Sequence, residues 1–296
     1  MDFAIVNVAV SSIGASLGFS REGLQWVLTG LLLPFGGLLL VAGRAADLFG
    51  RKRMLVAGLA LLCAASLVAG LAATPAMLVA ARVAQGVASA MIAPAALSLI
   101  TTNYREGPER DRALGVAGAV LPIGFVVGLV LSGLLTAVSW RLTLLISVPV
   151  GALVLVLAVA VVAESRDHDQ APGRTGASPA ATRELDVPGA VVGTGALVAL
   201  IYGVSGAETA GWASHQTLGS LIGAGLLAAT FVAVEARAAA PLAPPWVLAR
   251  RSVWAANLAG MVSFAGAVGL IFTLTLYTST PSRCGGLTPC RRDSHS

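Results

Sequence analysis

The amino-acid sequence predicts an all-α membrane protein with nine spanning helices, on three observations. Hydrophobic residues make up 56% of the 296 and charged residues 11%, against about 25% charged in an ordinary soluble domain. A soluble fold of this size would lack the polar surface to cover its core. The apolar residues gather in runs, several near the length of about 20 residues that a spanning helix needs. The basic residues fall mainly in alternate gaps between those runs. A bilayer admits only helices and closed barrels, and long runs with no alternating polar face select helices. Aromatics are scarce at 5%, and the 34 glycines suit helices packed close together.

The segments, in order, are Phe3 to Leu17 (short for a span), Trp26 to Gly43, Met54 to Ala73, Pro75 to Thr101 and Ala113 to Val138. Then come Leu142 to Ala163, Val187 to Val204, Leu218 to Val234 and Val253 to Tyr277. The second gap holds Arg44, Arg51, Lys52 and Arg53, and the fourth holds Arg105, Arg110 and Arg112. The sixth holds Arg166, Arg174 and Arg183, and the eighth holds Arg237, Arg250 and Arg251. The odd gaps contain only Arg21 and Arg141. Cytoplasmic loops carry the Lys/Arg excess, so the even gaps and the N-terminus are expected in the cytoplasm.

Residues 1–163 read as a six-helix bundle, 164–186 as a mobile cytoplasmic linker rich in Ala, Pro, Gly and Ser, and 187–278 as three further helices. The polar tail 279–296 brings Arg283, Arg291 and Arg292 to the side otherwise poor in positive charge. It reads as an aberrant, disordered tail, and it and the short first segment read as two damaged ends. Residues 1–20 lack a basic leader and a small-residue cleavage site, so no signal peptide is expected.

The composition argues against several classes. The pI of 9.7 arises from loop arginines rather than one basic face, so no nucleic-acid partner is expected. Cys63 lies in an apolar run, and Cys284 and Cys290 are spaced unlike common zinc ligands, so no metal site is expected. His168, His215 and His295 lie outside the predicted spans and far apart in sequence, which leaves no catalytic cluster. No phosphate-binding G-x-x-x-x-G-K-[ST] loop occurs. The chain is therefore expected to be no enzyme, to need no cofactor and to draw energy from an ion gradient.

Two patterns can carry chemistry. Gly43-Arg-Ala-Ala-Asp47-Leu-Phe-Gly50-Arg51-Lys52-Arg53 sits in a short turn between spans. Asp47 there can accept hydrogen bonds from a nearby helix start and pair with arginines; a plain basic loop that only sets topology is the alternative. Arg82, in Leu78-Val-Ala-Ala-Arg82-Val-Ala-Gln85-Gly86, is the only Lys or Arg deep inside a segment. An intramembrane charge marks a pathway or relay by default. Arg82 stands seven residues from the start of its run, about 10 Å deep, so it can also snorkel to the interface.

These strings resemble signatures of the major facilitator superfamily, in its fourteen-helix drug:proton antiporter branch. Gly43, Asp47, Gly50, Arg51 and Lys52 match the loop signature G-x-L-A-D-R-x-G-R-R/K, with Ala45 and Leu48 departing from it. The resemblance assigns this loop to gating. Arg82, Gln85 and Gly86 match R-x-x-Q-G of proton-driven exporters, which ties them to proton coupling. Asp2-Phe-Ala-Ile-Val-Asn7 resembles the first-helix signature L-D-x-T-I-V-N, which makes Asp2 a candidate proton carrier. Gly124, Gly128 and Gly133 match part of the fifth-helix signature G-x-x-x-G-P-x-x-G-G. Leu129 replaces its proline and Ser132 one glycine, so close packing is expected without the proline bend. Ser139-Trp140-Arg141, Ser147-Val-Pro149-Val-Gly151, Glu235-Ala-Arg237 and Pro241-Leu242 resemble further pieces.

The resemblance implies a major facilitator fold: a front six-helix half, two extra helices and the first helix of a second half. It also implies export of drugs or small amphiphilic compounds against proton entry, from a bacterial inner membrane. The expected partners are a small-molecule substrate, protons and membrane lipid, with the chain monomeric. A chain cut at both ends reads alternatively as a non-transporting fragment of such an exporter. A single lysine among many arginines and alanines hints at a GC-rich bacterial genome.

Overall fold

Inside a bilayer the backbone must close its hydrogen bonds within the chain, and helices do this. The computed structural model describes residues 2–104, 106–162, 187–236 and 250–279. These form α1 (Asp2–Leu17), α2 (Arg21–Phe49), α3 (Arg51–Gly70), α4 (Pro75–Asn103) and α5 (Pro108–Val138). They continue with α6 (Trp140–Leu145), α7 (Ser147–Val161), α8 (Val187–Ala210), α9 (His215–Glu235) and α10 (Arg251–Ser279). Seven spans among the described residues are long and apolar enough to cross a membrane, with α6 and α7 counting as one. The 16-residue α1 is shorter than these, as its sequence predicts. The linker 164–186, the tail beyond Ser279, and Cys284 and Cys290 lie outside the described residues.

The chain reverses in very few residues, and the residue types explain how. Ser20, Thr74, Ser139 and Ser214 each accept a hydrogen bond at the start of the helix that follows, α2, α4, α6 and α9. Each satisfies a backbone N–H that the helix itself cannot. Pro75 adds a preset backbone angle at the start of α4. The α2–α3 reversal is different. The expected loop from Gly43 to Arg53 is helical except at Gly50, because α2 runs on to Phe49 and α3 starts at Arg51. Gly50 has φ 104°, a region that costs any residue with a Cβ, and its N–H still closes onto the Ala46 carbonyl.

The sixth predicted segment differs from the expectation of one uninterrupted helix. Its ladder breaks at Ile146, although Ile146 keeps helical backbone angles. Pro149 has no N–H to donate one turn back, which accounts for the break. His215, expected outside the spans, begins α9.

The chain divides into two compact units, residues 1–243 and 244–296. The first contains α1–α9, and α10 is the described part of the second. Within the first unit α4 packs between α2 and α3, α3 also packs on α6 and α7, and α1 packs on α5 and α6. The hairpin α8–α9 joins through α2. Two apolar clusters form the core. One gathers Ile13, Val27, Ala69, Leu78, Trp140 and Leu144; the other gathers Ala46, Leu55, Leu59, Ala95, Leu99 and Ala158.

Glycines set how closely these helices approach. A Cβ on Gly70 would overlap the Leu145 side chain of α6, and one on Gly151 would crowd Cys63 Sγ. Cys63 thus packs against α7. Gly36 and Gly37 bring α2 against Ile201, Thr194 and Val198 of α8. Thr194 Oγ1 donates to the Gly37 carbonyl there (2.8 Å), and Gln25 Nε2 donates to the Ser205 carbonyl (2.6 Å).

Gly50→Ala is expected to destabilise the chain by about 1–2 kcal/mol through its left-handed backbone angle. Gly115→Ala, where an added Cβ meets nothing within 4 Å, should not. Thermal melting of the purified chain in detergent checks both: the first variant melts lower and the second at or above the parent.

Candidate functional site

Arg82 follows the core residue Ala81 on α4, and it has no solvent exposure. Its Nε donates to the Val27 carbonyl of α2 (3.0 Å), and its Nη1 donates to Gln85 Oε1 (2.9 Å). Gln85 Nε2 in turn donates to Ser66 Oγ of α3 (2.8 Å). Gln85 and Ser66 are also wholly buried. A guanidinium directed into three packed helices is not snorkelling, so that alternative falls. The carboxamide orientation follows from chemistry, because arginine has donors and no acceptor. Gln85 must turn its oxygen to Arg82, which leaves its nitrogen for Ser66.

The helix surfaces make room for this knot. Gly30 of α2 faces the Arg82 Cβ at a distance an added Cβ would fill (3.7 Å). Gly86 sits so close to α2 that an added Cβ would overlap the Leu31 carbonyl oxygen and Pro34 Cγ. Gly58 likewise lets α3 meet Ala88, Met91 and Ile92 of α4. Sequence reading found Arg82, Gln85 and Gly86 but missed Ser66 and the Val27 carbonyl. A single serine in an apolar run gives no pairing signal, and a backbone carbonyl gives none at all.

The second constellation is at the α2–α3 junction, where Asp47 and Arg51 pair across Gly50 while Gly43 and Lys52 face other helices. Arg51 Nε and Nη2 both donate to Asp47 Oδ1 (3.3 and 3.2 Å), across the break at Gly50. Arg51 is buried and Asp47 is 38% exposed. A half-exposed pair of this kind stabilises by about 0–1 kcal/mol. It is therefore a weak brace. Lys52 Nζ donates to the Val159 carbonyl in the last turn of α7 (2.9 Å), a cation at a helix C-terminus. Gly43 approaches Pro94 of α4 (3.6 Å to an added Cβ).

The remaining candidates divide. Asp2 opens α1, and its side chain lies outside the described residues. On α5, Gly128 is buried, while Gly124 is partly buried and Gly133 exposed. A Cβ on either of the latter two would meet nothing within 4 Å. Among the described residues no neighbouring helix approaches Gly124 or Gly133 closely. Leu129 stands in the signature's proline position, and the proline inside α5 is Pro122, one to two turns earlier. Arg141 stacks over the Trp140 ring (4.5 Å) and donates to the Ala72 carbonyl past α3 (2.9 Å). This gives it a structural task. Glu235 ends α9 in a buried position, whereas Arg237, Pro241 and Leu242 lie outside the described residues. Among the described residues no three His, Cys, Asp or Glu side chains lie close enough to hold a metal.

Several apolar spans around a buried, hydrogen-bonded arginine define a multi-pass helical membrane protein. The chain belongs to the Major Facilitator Superfamily, which it matches over residues 1–284, a family of transporters of small molecules rather than enzymes. It is 42% identical over 277 residues to the cephamycin export protein CmcT of Amycolatopsis lactamdurans, covering 93% of this chain and 55% of that protein. It is 40% identical over 278 residues to the puromycin resistance protein pur8 of Streptomyces alboniger, covering 94% and 53%. With the lincomycin resistance protein of Streptomyces lincolnensis the identity is 38% over 280 residues, covering 94% and 55%. The chain thus spans about half the length of these curated relatives.

Gly86→Ala is expected to push α4 from α2 and cost about 1–3 kcal/mol, the usual range for overpacking. Gly124→Ala should be neutral. Yield of folded protein by size exclusion, together with the melting temperature, separates the two.

Proposed function

We propose that this chain serves export of small amphiphilic compounds of the antibiotic type across a bacterial inner membrane, driven by proton entry. The observation that carries the reading is the similarity along more than nine-tenths of the chain to cephamycin export, puromycin resistance and lincomycin resistance proteins. In this reading α1–α7 form the front half-bundle of an alternating-access transporter. The even gaps, rich in arginine, face the cytoplasm together with the N-terminus. Arg82 and Asp2 belong to the proton-coupling machinery by the signatures they match, and an intramembrane charge marks a relay by default.

The α2–α3 junction is the gate. Its brace is weak enough to reform each cycle, and Asp47 uses one carboxylate oxygen on Arg51, leaving the second to reach a partner across the gate. The energy source is the proton gradient, with no cofactor. Protons, substrate and lipid are the partners, and the chain acts as a monomer.

The test is expression in a bacterial host lacking its own drug pumps, with puromycin susceptibility and ethidium accumulation as readouts. Resistance and lowered ethidium are expected, both abolished by a protonophore. Asp47→Asn should return accumulation to the empty-vector level while the protein remains in the membrane. Unchanged susceptibility with the chain present in the membrane would overturn the proposal, and efflux that survives the protonophore would overturn its proton-driven part.

A further inference from the structure

We propose that Ser66 is a positioning residue for Arg82, acting through the orientation of the Gln85 carboxamide. The reasoning needs only the buried knot. Gln85 has two chemically opposite ends of nearly equal size, and nothing in its shape chooses between them. Arg82 Nη1 requires an oxygen, and a flipped carboxamide would present it with N–H groups instead. Arg82, a donor only, sets which end of the amide faces it; Ser66 Oγ, 2.8 Å from Gln85 Nε2, accepts from the amide nitrogen and holds the amide in that orientation. Ser66 comes from α3, whereas Arg82 and Gln85 share α4 and Val27 belongs to α2. The guanidinium is therefore held from two neighbouring helices, from α2 directly and from α3 through one rotatable amide. All three side chains are fully buried, so water cannot replace a lost partner, and a buried polar group left unpaired is costly. The consequence for proton coupling rests on the export reading; the orientation of Arg82 does not.

The experiment has an arm for each. The chain has four glutamines, Gln25, Gln85, Gln170 and Gln216, so selective 15N-glutamine labelling in lipid nanodiscs resolves their side-chain amides. Gln85 is identified by its loss in Gln85→Met. Ser66→Ala should shift the Gln85 resonance and speed its exchange with solvent by about tenfold, the loss of one hydrogen bond of ordinary strength. Ser66→Thr, which keeps the hydroxyl, should leave both near the parent values. Ser66→Cys replaces Ser66→Ala if the latter does not fold. A Gln85 amide unmoved by Ser66→Ala would overturn the proposal.

In the second arm, everted membrane vesicles report puromycin-driven proton movement as a function of pH. Ser66→Ala should displace that profile in the parent chain. In a Gln85→Glu background a carboxylate offers oxygen to Arg82 in either orientation, so Ser66→Ala should displace it no further. Equal displacement in both backgrounds would mean that Ser66 acts by packing alone, and the proposal fails. If puromycin moves no protons with the parent chain, the export reading fails, and the amide spectra alone decide the role of Ser66.

Discussion

The guanidinium of Arg82 cannot reach water, and most of the helix packing around it can be understood as a response to that fact. A buried cation stays charged only if directional acceptors surround it. The Val27 carbonyl and Gln85 Oε1 are two such acceptors, and they lie on different helices. For Arg82 Nε to reach the α2 backbone, α4 must come closer to α2 than ordinary side chains permit. Gly30 and Gly86 provide that approach at the crossing. Gln85 cannot serve unless its amide is turned correctly, and this draws in Ser66 from α3. One charge thus imposes small residues on two helices and a hydroxyl on a third.

α2 also answers to a second neighbour. Gly36 and Gly37, one to two turns beyond Gly30, bring it against α8, and Thr194 and Gln25 add hydrogen bonds between the two helices. The α8–α9 hairpin is thereby tied to the helix that supplies the Val27 carbonyl. At its far end α2 meets α3 across a single glycine, where the Asp47–Arg51 brace contributes little stability because Asp47 is open to solvent. Lys52 and Arg141, at opposite ends of α3, each donate to a carbonyl at or just past a helix terminus. Cations at these positions suit the negative end of the helix dipole.

Much of this was legible from residue order. Spans were visible because a bilayer demands long apolar runs, and the short reversals because little but Ser, Thr or Gly remained between them. The sequence also singled out Arg82, since an isolated charge in an apolar run has no bland background to hide in. What it could not show was direction. Whether Arg82 pointed to the interface or into the bundle depended on Gly30 and Gly86 meeting across two helices, a coincidence of register that spacing along one helix does not encode. The α2–α3 turn was misjudged because hydropathy stops at the first charge, whereas backbone hydrogen bonding continues through Asp47 to Phe49.

The most direct test of the account is whether Arg82 is bonded to α2 when the protein sits in lipid. A chain labelled with 15N-arginine and with 13C at the valine carbonyls, studied by solid-state NMR in bilayers, measures that contact as dipolar dephasing of an arginine Nε by a valine carbonyl. The account predicts dephasing at hydrogen-bond range that disappears in Arg82→Lys, from a resonance that aqueous paramagnetic ions leave sharp. An Arg82 Nε that shows no coupling to a valine carbonyl and is broadened by those ions would place the guanidinium at the interface and contradict it.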